Sequence, residues 1–355
     1  MKYKLSLLQA IQDETRNISL MEVCGTHTMA IARSGIRELL PSNIKLLSGP
    51  GCPVCVTSQG DIDGVLELVR KQDIILITFG DMMRVPGTGS SLEEERSRGA
   101  DIRIGYSPRD ALRAAQENPG KEVVFLGIGF ETTTPAIGAA IEEAREDGIP
   151  NFSVFSLHKI VPPALEALFA DAEIKIDGLI CPGHVGAVIG LGPFEKLASQ
   201  YGKPCVITGF ETLDILEGIF MLLQQIQKAE ARGENQYKRI VRDQGNPVAM
   251  GLINQVFETV PARWRGLGVI PASGLKLRPE YARFDARRKF DIPEMEEIPI
   301  KGCACGAVLT GKIIPTECAL FGRSCTPLQP VGPCMVSHEG SCAAYYRYMP
   351  LERKK

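Results

Sequence analysis

Ile74-Ile75-Leu76-Ile77-Thr78-Phe79 is an unbroken apolar run rich in β-branched residues, the pattern of a strand covered on both faces in a parallel sheet. Runs of the same kind recur at Val123 to Ile128, Val154 to Leu157, Leu179 to Cys181 and Cys205 to Thr208, with shorter ones at Leu20 to Val23, Ile44 to Leu47 and Ile102 to Gly105. Helical patterns fall between them. After Asp61, residues Ile62, Val65, Leu66 and Val69 follow the i, i+3, i+4, i+7 spacing of one helix face. Threonines ahead of Pro135 start another helix, and a long one spans about 213–232. Strands alternating with helices predict α/β architecture with parallel sheets and right-handed crossovers.

Gly209-Phe210-Glu211-Thr212 repeats Gly129-Phe130-Glu131-Thr132 at the same strand-to-helix position, so the chain reads as two α/β lobes facing a cleft. The expected division is 1–120 for the first lobe, 121–235 for the second, and 236–355 for a mixed C-terminal unit. The polar stretch 88–100 reads as a mobile loop.

Within this frame, chemistry gathers where strands end, the usual place for ligand sites in open α/β sheets. Cys52-Pro53-Val54-Cys55 sits in a Gly-Pro turn ahead of a helix, and two thiols so spaced can cycle with a disulfide or grip a soft metal. Cys24-Gly25-Thr26-His27 offers a thiol and an imidazole three positions apart, able to bind one metal or to pair a nucleophile with its base. Asp81 and Arg84 follow the buried run at 74–79. Glu131 and Glu211 stand at helix starts, where a carboxylate is favoured by the dipole, so capping competes there with a role in the site. His184 follows Cys181-Pro182-Gly183, while His158 and His338 read as structural.

Six of the eleven cysteines fall at the C-terminal end, at Cys303, Cys305, Cys318, Cys325, Cys334 and Cys342, among Gly and Pro. A segment so poor in periodic apolar residues needs a staple, and thiolates around an iron–sulfur cluster or a zinc ion would serve. The spacing decides neither the metal nor which four cysteines hold it. Forty Lys and Arg against 42 Asp and Glu leave a net charge of -2, which supplies no basic field for nucleic acid. The start of the chain shows no signal peptide and no apolar run is long enough for a membrane helix. The expected compartment is therefore the cytoplasm, where clustered thiols serve metals or redox chemistry more often than structural disulfides.

Eight motifs, in order along nearly the whole chain, carry a resemblance. They are Glu22-Val23-Cys24-Gly25-Thr26-His27, the Gly49–Cys55 turn, Phe79–Gly87, Gly129–Thr133, Pro182–Val185, Glu234–Tyr237, Trp264-Arg265-Gly266-Leu267-Gly268 and Met335–Ala344. Together they resemble the HypD family of hydrogenase maturation factors. The resemblance implies help in assembling the Fe(CN)2CO unit of [NiFe]-hydrogenases, with a small HypC-type chaperone and a HypE-type cyanide-delivering maturase as partners. It implies Cys24 as iron ligand with His27 nearby, Cys52 and Cys55 as a redox dithiol, and a [4Fe-4S] cluster on Cys305, Cys318, Cys325 and Cys342, as in ferredoxin:thioredoxin reductase. Cys303 and Cys334 would then be extra thiols. Met29 replaces the second histidine of a His-x-His pair, Ser58 a proline, and Cys181 a small residue. From another class, an iron–sulfur-dependent thiol-disulfide oxidoreductase would need the dithiol and the cluster but not Cys24. A zinc protein that only bridges partners would need neither redox pair nor iron.

Overall fold

A computed structural model describes residues 2–298 and 300–348. Eleven strands run in chain order as β1 (Ile18–Glu22), β2 (Ile44–Ser48), β3 (Ile74–Thr78), β4 (Asp101–Ile104), β5 (Glu122–Gly127), β6 (Phe152–Ser156), β7 (Gly178–Pro182), β8 (Cys205–Thr208), β9 (Gly233–Asn235), β10 (Phe257–Trp264) and β11 (Gly268–Leu277). Nine of them form two parallel sheets, ordered β2-β1-β7-β8-β9 and β4-β3-β5-β6, and β10-β11 is an antiparallel hairpin. The α/β reading holds. β3 is buried at every position, as its unbroken apolar run requires.

The sheets do not divide at residue 120. β1 pairs in parallel with β2 and, on its other side, with β7, Leu20 opposite Gly178 and Glu22 opposite Ile180. The whole four-stranded sheet, residues 74–156, is therefore inserted between β2 and β7 of the five-stranded one. Apolar runs identify buried strands but carry no information about which strand becomes whose neighbour. That choice is made by helix packing and crossover geometry.

Two local structures depart from the sequence reading. In the stretch expected to be a loop, Leu92–Ser97 is a helix whose N-cap Ser91 accepts from the Glu94 amide. Glu95 on this helix is buried and paired with Arg70 and Arg98, each at 2.8 Å, which lowers its pKa to about 2 chiefly through the Arg70 hydrogen bond. The hairpin β10-β11 had no strand signal strong enough to place it. It docks on the chain after β6 through Ile160 N–H to Ser273 O at 2.8 Å and Leu275 N–H to His158 O at 3.1 Å.

The turn after β2 is held against the turn after β1. Gly25 N–H donates to Gly51 O at 2.9 Å and Gly49 N–H to Glu22 O at 2.8 Å. A Cβ on Gly51 would overlap the backbone of Cys24. Gly51→Ala should therefore force the turns apart at a cost of about 1–3 kcal/mol, read as a lowered urea midpoint together with faster alkylation of Cys24.

Candidate functional site

The C-terminal ends of both sheets empty into one pocket of about 660 Å³. Cys24 and Thr26 enter from the end of β1, Pro53 and Val54 from the turn after β2, and Asp81 from the turn after β3. Phe130 and Thr132 come from the loop after β5, His184 from the end of β7, and Glu339 from the C-terminal segment. Strand direction brings together residues as far apart as Cys24 and His184, and docking of the C-terminal segment adds Glu339.

Cys24 is buried, and its thiol is pushed up to about 12, first by burial and then by the charge of Glu339. It stays protonated unless a cation arrives to hold the sulfur. Glu339 is fixed close by, its Oε1 accepting from Thr26 Oγ1 at 2.7 Å. His184 lines the same pocket and stacks on Phe210 at 4.0 Å, with its pKa lowered by partial burial.

His27 does not line this pocket. Its ring is fully buried, with Nε2 2.9 Å from both Gly209 O and Thr208 Oγ1, and burial brings its pKa down to about 4. The ring pins the end of β8 to the helix that starts at Gly25, and the side chain three residues after Cys24 points inward because that is the buried face of this helix.

Cys52 and Cys55 are joined by a disulfide, with their Cα atoms 5.2 Å apart. Cys55 N–H donates to Cys52 Sγ at 3.2 Å. The hairpin clamps the far end of this short helix: Arg265 N–H donates to Val56 O at 2.9 Å, and Arg265 Nε to Thr57 O at 3.0 Å. Trp264 beside it stacks on Phe130 with ring centroids 5.8 Å apart. The Trp264–Gly268 motif is thus a buckle for the dithiol helix.

Asp81 holds the C-terminal segment. Its Oδ2 accepts from Ser337 Oγ at 3.2 Å and from His338 N–H at 3.1 Å, and its Oδ1 lies 2.7 Å from His338 Nδ1. Ser337 Oγ is in turn 3.4 Å from Cys52 Sγ. Arg84, three residues on, turns away and donates from Nη2 to Pro327 O at 2.7 Å.

The repeated Gly-Phe-Glu-Thr motif splits in role. Glu131 is buried and caps not its own helix but the next one, its Oε1 accepting from Val161 N–H at 3.0 Å. Glu131 Oε2 has no hydrogen-bond partner among the described residues, and burial pushes the carboxyl up to about 7. Glu211 is exposed, and its own N–H is held by Asp214 Oδ2 at 3.2 Å.

The C-terminal thiols converge as the composition anticipates. Cys303, Cys305, Cys318, Cys325, Cys334 and Cys342 line one small apolar pocket of about 10 Å³. Cys305 Sγ lies 2.7 Å from Cys334 Sγ. Burial raises the pKa of Cys325 and of Cys342, and neighbouring thiols raise both further: Cys303 and Cys318 for Cys325, and Cys305, Cys325, Cys303 and Cys318, in that order, for Cys342. The donor set suits a soft metal or an iron–sulfur cluster. As packed, though, the pocket has only about the room of one water, and among the described residues no three His, Cys, Asp or Glu side chains stand in metal-holding geometry. The Cys305–Cys334 contact also places together one expected ligand and one expected extra thiol.

A family profile described as Hydrogenase formation hypA family, HypD, matches residues 2–349. The chain belongs to the HypD family. It is 48% identical over 338 residues to the hydrogenase maturation factor HypD of Rhodobacter capsulatus, covering 93% of this chain and 89% of that protein. It is 46% identical over 338 residues to HypD of Escherichia coli K12, covering 95% and 91%. To a putative hydrogenase expression/formation protein of Methanocaldococcus jannaschii it is 42% identical over 347 residues, covering 98% and 96%. The family motifs quoted from the sequence thus fall at strand ends, in the buckle and in the C-terminal segment. Among the described residues no helix is long and apolar enough to cross a membrane.

Sequence reasoning missed Ser337, His338 and Glu339 as site residues. Their place beside Cys24 and Cys52 is set by tertiary docking; the signal available was the Met335–Ala344 motif itself.

Glu131 yields a test with a definite sign. Its folded-state pKa is raised, from 4.5 to about 7, so the native state holds a proton that the unfolded chain releases. The stability from the neutral carboxyl is full below pH 4.5 and is lost as pH rises towards 7. Relative to Glu131→Gln, the wild type should lose up to about 1.4 kcal/mol per pH unit across that window, measured by urea denaturation at a series of pH values.

Proposed function

We propose that this chain is a scaffold and redox component for assembling the Fe(CN)2CO unit of [NiFe]-hydrogenases, working in the cytoplasm with a small HypC-type chaperone and a HypE-type cyanide donor. The observation that carries this is that the Cys24 pocket, the dithiol turn and the helix of Cys334 are neighbours in the fold. Cys24 opens on the pocket, the Cys52–Cys55 disulfide lies beside it, and the helix Pro333–Val336, which bears Cys334, packs on the helix Pro53–Val56. Family membership supplies the prior, and the geometry supports the division of labour.

The iron unit is cargo. Cys24 would hold it as thiolate, since a soft sulfur ligand suits iron carrying strong-field cyanide and carbonyl, and the metal's charge offsets the burial that otherwise keeps this thiol protonated. Glu339, Asp81 and His184 supply the polar wall. Ile104 and Tyr106, exposed at 47% and 91%, form an apolar rim on which the chaperone would seat. Delivery of cyanide from a thiocyanate takes two electrons per ligand, and a dithiol stores two.

For the C-terminal pocket the expected ligand set is Cys305, Cys318, Cys325 and Cys342, four thiols being the number an iron–sulfur cluster takes. Cys305 lies against both Cys303 and Cys334, so these contacts single out no one pair. A cluster there would supply electrons one at a time.

Anaerobically purified protein should contain one [4Fe-4S] equivalent of iron and acid-labile sulfide per chain, and co-purified with its partners it should show infrared bands of metal-bound cyanide and carbonyl. Cluster without those bands leaves only the thiol-disulfide reductase reading, and zinc in place of iron overturns both. Cys305→Ser should lose the cluster and Cys303→Ser keep it, by the iron-thiolate absorbance; the reverse would put Cys303 in the ligand set in place of Cys305. Cys24→Ala should keep cluster and dithiol and lose the infrared bands.

A further inference from the structure

We propose that Ser337 and Asp81 form a proton relay joining Cys52 to solvent, with His338 at the outer end. The inference deepens the reading of Cys52 and Cys55 as a cycling dithiol and rests on it, but not on any iron chemistry.

A disulfide cannot open or close without moving protons, and here both sulfurs are buried. Cys52 is 4% exposed, Cys55 0% and Ser337 1%. Three polar contacts lead outward from Cys52. Cys52 Sγ is 3.4 Å from Ser337 Oγ, Ser337 Oγ donates to Asp81 Oδ2 at 3.2 Å, and Asp81 Oδ1 is 2.7 Å from His338 Nδ1. The His338 side chain is 71% exposed, so the chain of contacts runs from a dry sulfur to bulk water. The backbone fixes it, because His338 N–H also donates to Asp81 Oδ2 at 3.1 Å.

When the dithiol closes on a disulfide oxidant such as oxidised dithiothreitol, Cys52 S–H gives its proton to Ser337 Oγ while Ser337 O–H gives its own to the Asp81 carboxylate; the Cys52 sulfur attacks the oxidant's disulfide, and Cys55 then displaces the oxidant, which leaves as a dithiol with both electrons. Opening runs the same path backwards. With dithiothreitol as reductant, one of its thiolates attacks Cys52 Sγ, at 4% exposure the less buried of the two sulfurs, the Cys52–Cys55 bond breaks, and the electron pair leaves on Cys55, which is 0% exposed. Cys55 takes the proton of the reductant's second thiol, whose sulfur then displaces Cys52 and closes the cyclic disulfide. Cys55 N–H, 3.2 Å from Cys52 Sγ, steadies the charge left there until the relay delivers a proton, so two electrons and two protons reach the protein.

The experiment measures opening of this disulfide by dithiothreitol in the full chain, quenched with iodoacetamide and read by mass on the peptide that holds Cys52 and Cys55. Ser337→Ala should slow opening about tenfold or more and shrink the rate ratio between water and deuterium oxide. Ser337→Thr keeps the hydroxyl and should open within about twofold of wild type, while Asp81→Asn should be slowed like the alanine variant. Equal rates in wild type and Ser337→Ala would overturn the relay alone. So would equal slowing of the alanine and threonine variants, which would mark packing rather than the hydroxyl. Should circular dichroism show Ser337→Ala unfolded, Asp81→Asn decides: a slowed rate supports the relay and a wild-type rate removes it. A wild-type pair that never opens would remove the dithiol reading and the relay with it.

Discussion

Glu339 occupies the space where a side chain on residue 25 would be. A Cβ on Gly25 would sit 2.5 Å from Glu339 Cβ, so the absence of that carbon lets the C-terminal segment lie against the first turn after β1. From this seat Ser337 reaches Cys52, Glu339 reaches Thr26, and the helix Ser341–Tyr348 packs on the helix Gly25–Ser34. Arg37 lies over the Tyr345 ring at 4.9 Å and within 3.7 Å of the buried Glu22, locking the two helices from the side. Without that segment the pocket would lack a carboxylate wall and the disulfide would lack a cover.

The two sulfur centres differ in how the backbone treats them. Cys24 is dry and has a carboxylate near, which opposes a free thiolate. Cys52 accepts an amide N–H and faces a hydroxyl. The first environment suits a ligand that ionises only when a cation is present, the second a sulfur that changes charge during a reaction. Arg265 adds a further element. It is buried, it has an Nη2 with no hydrogen-bond partner, and its charge reaches Cys303, Cys305 and Cys334.

Strand-by-strand, most of the α/β frame could be read from runs such as Ile74–Phe79 and from the strand-end positions of Cys24, Asp81 and His184. These signals are local, since burial on both faces needs apolar residues at consecutive positions. The pairing of β1 with β7 could not be read, because Leu20 and Gly178 carry no mark of each other. The places of His27 and Glu131 could not be read either. Cys24 is the extended residue ahead of its helix and faces the pocket, whereas His27 in the first turn lies on the buried face, and a glutamate at one helix start can cap a different helix brought beside it. His338 reads as structural and Ser337 is marked only by the Met335–Ala344 motif, because a residue brought in by docking has no secondary-structure pattern of its own.

The nesting of one sheet within the other also sets an order of events during synthesis. The contact of Ser19 N–H with Asp177, beside the β1–β7 seam, spans 158 residues. At about 5–20 residues per second of translation, β1 would wait roughly 10–30 s with one edge unpaired, exposed to other chains in the manner of any open strand. Cys24 and Cys52 are uncovered for that interval and longer. Their lid, Ser337 to Glu339, leaves the ribosome only when almost everything else is in place.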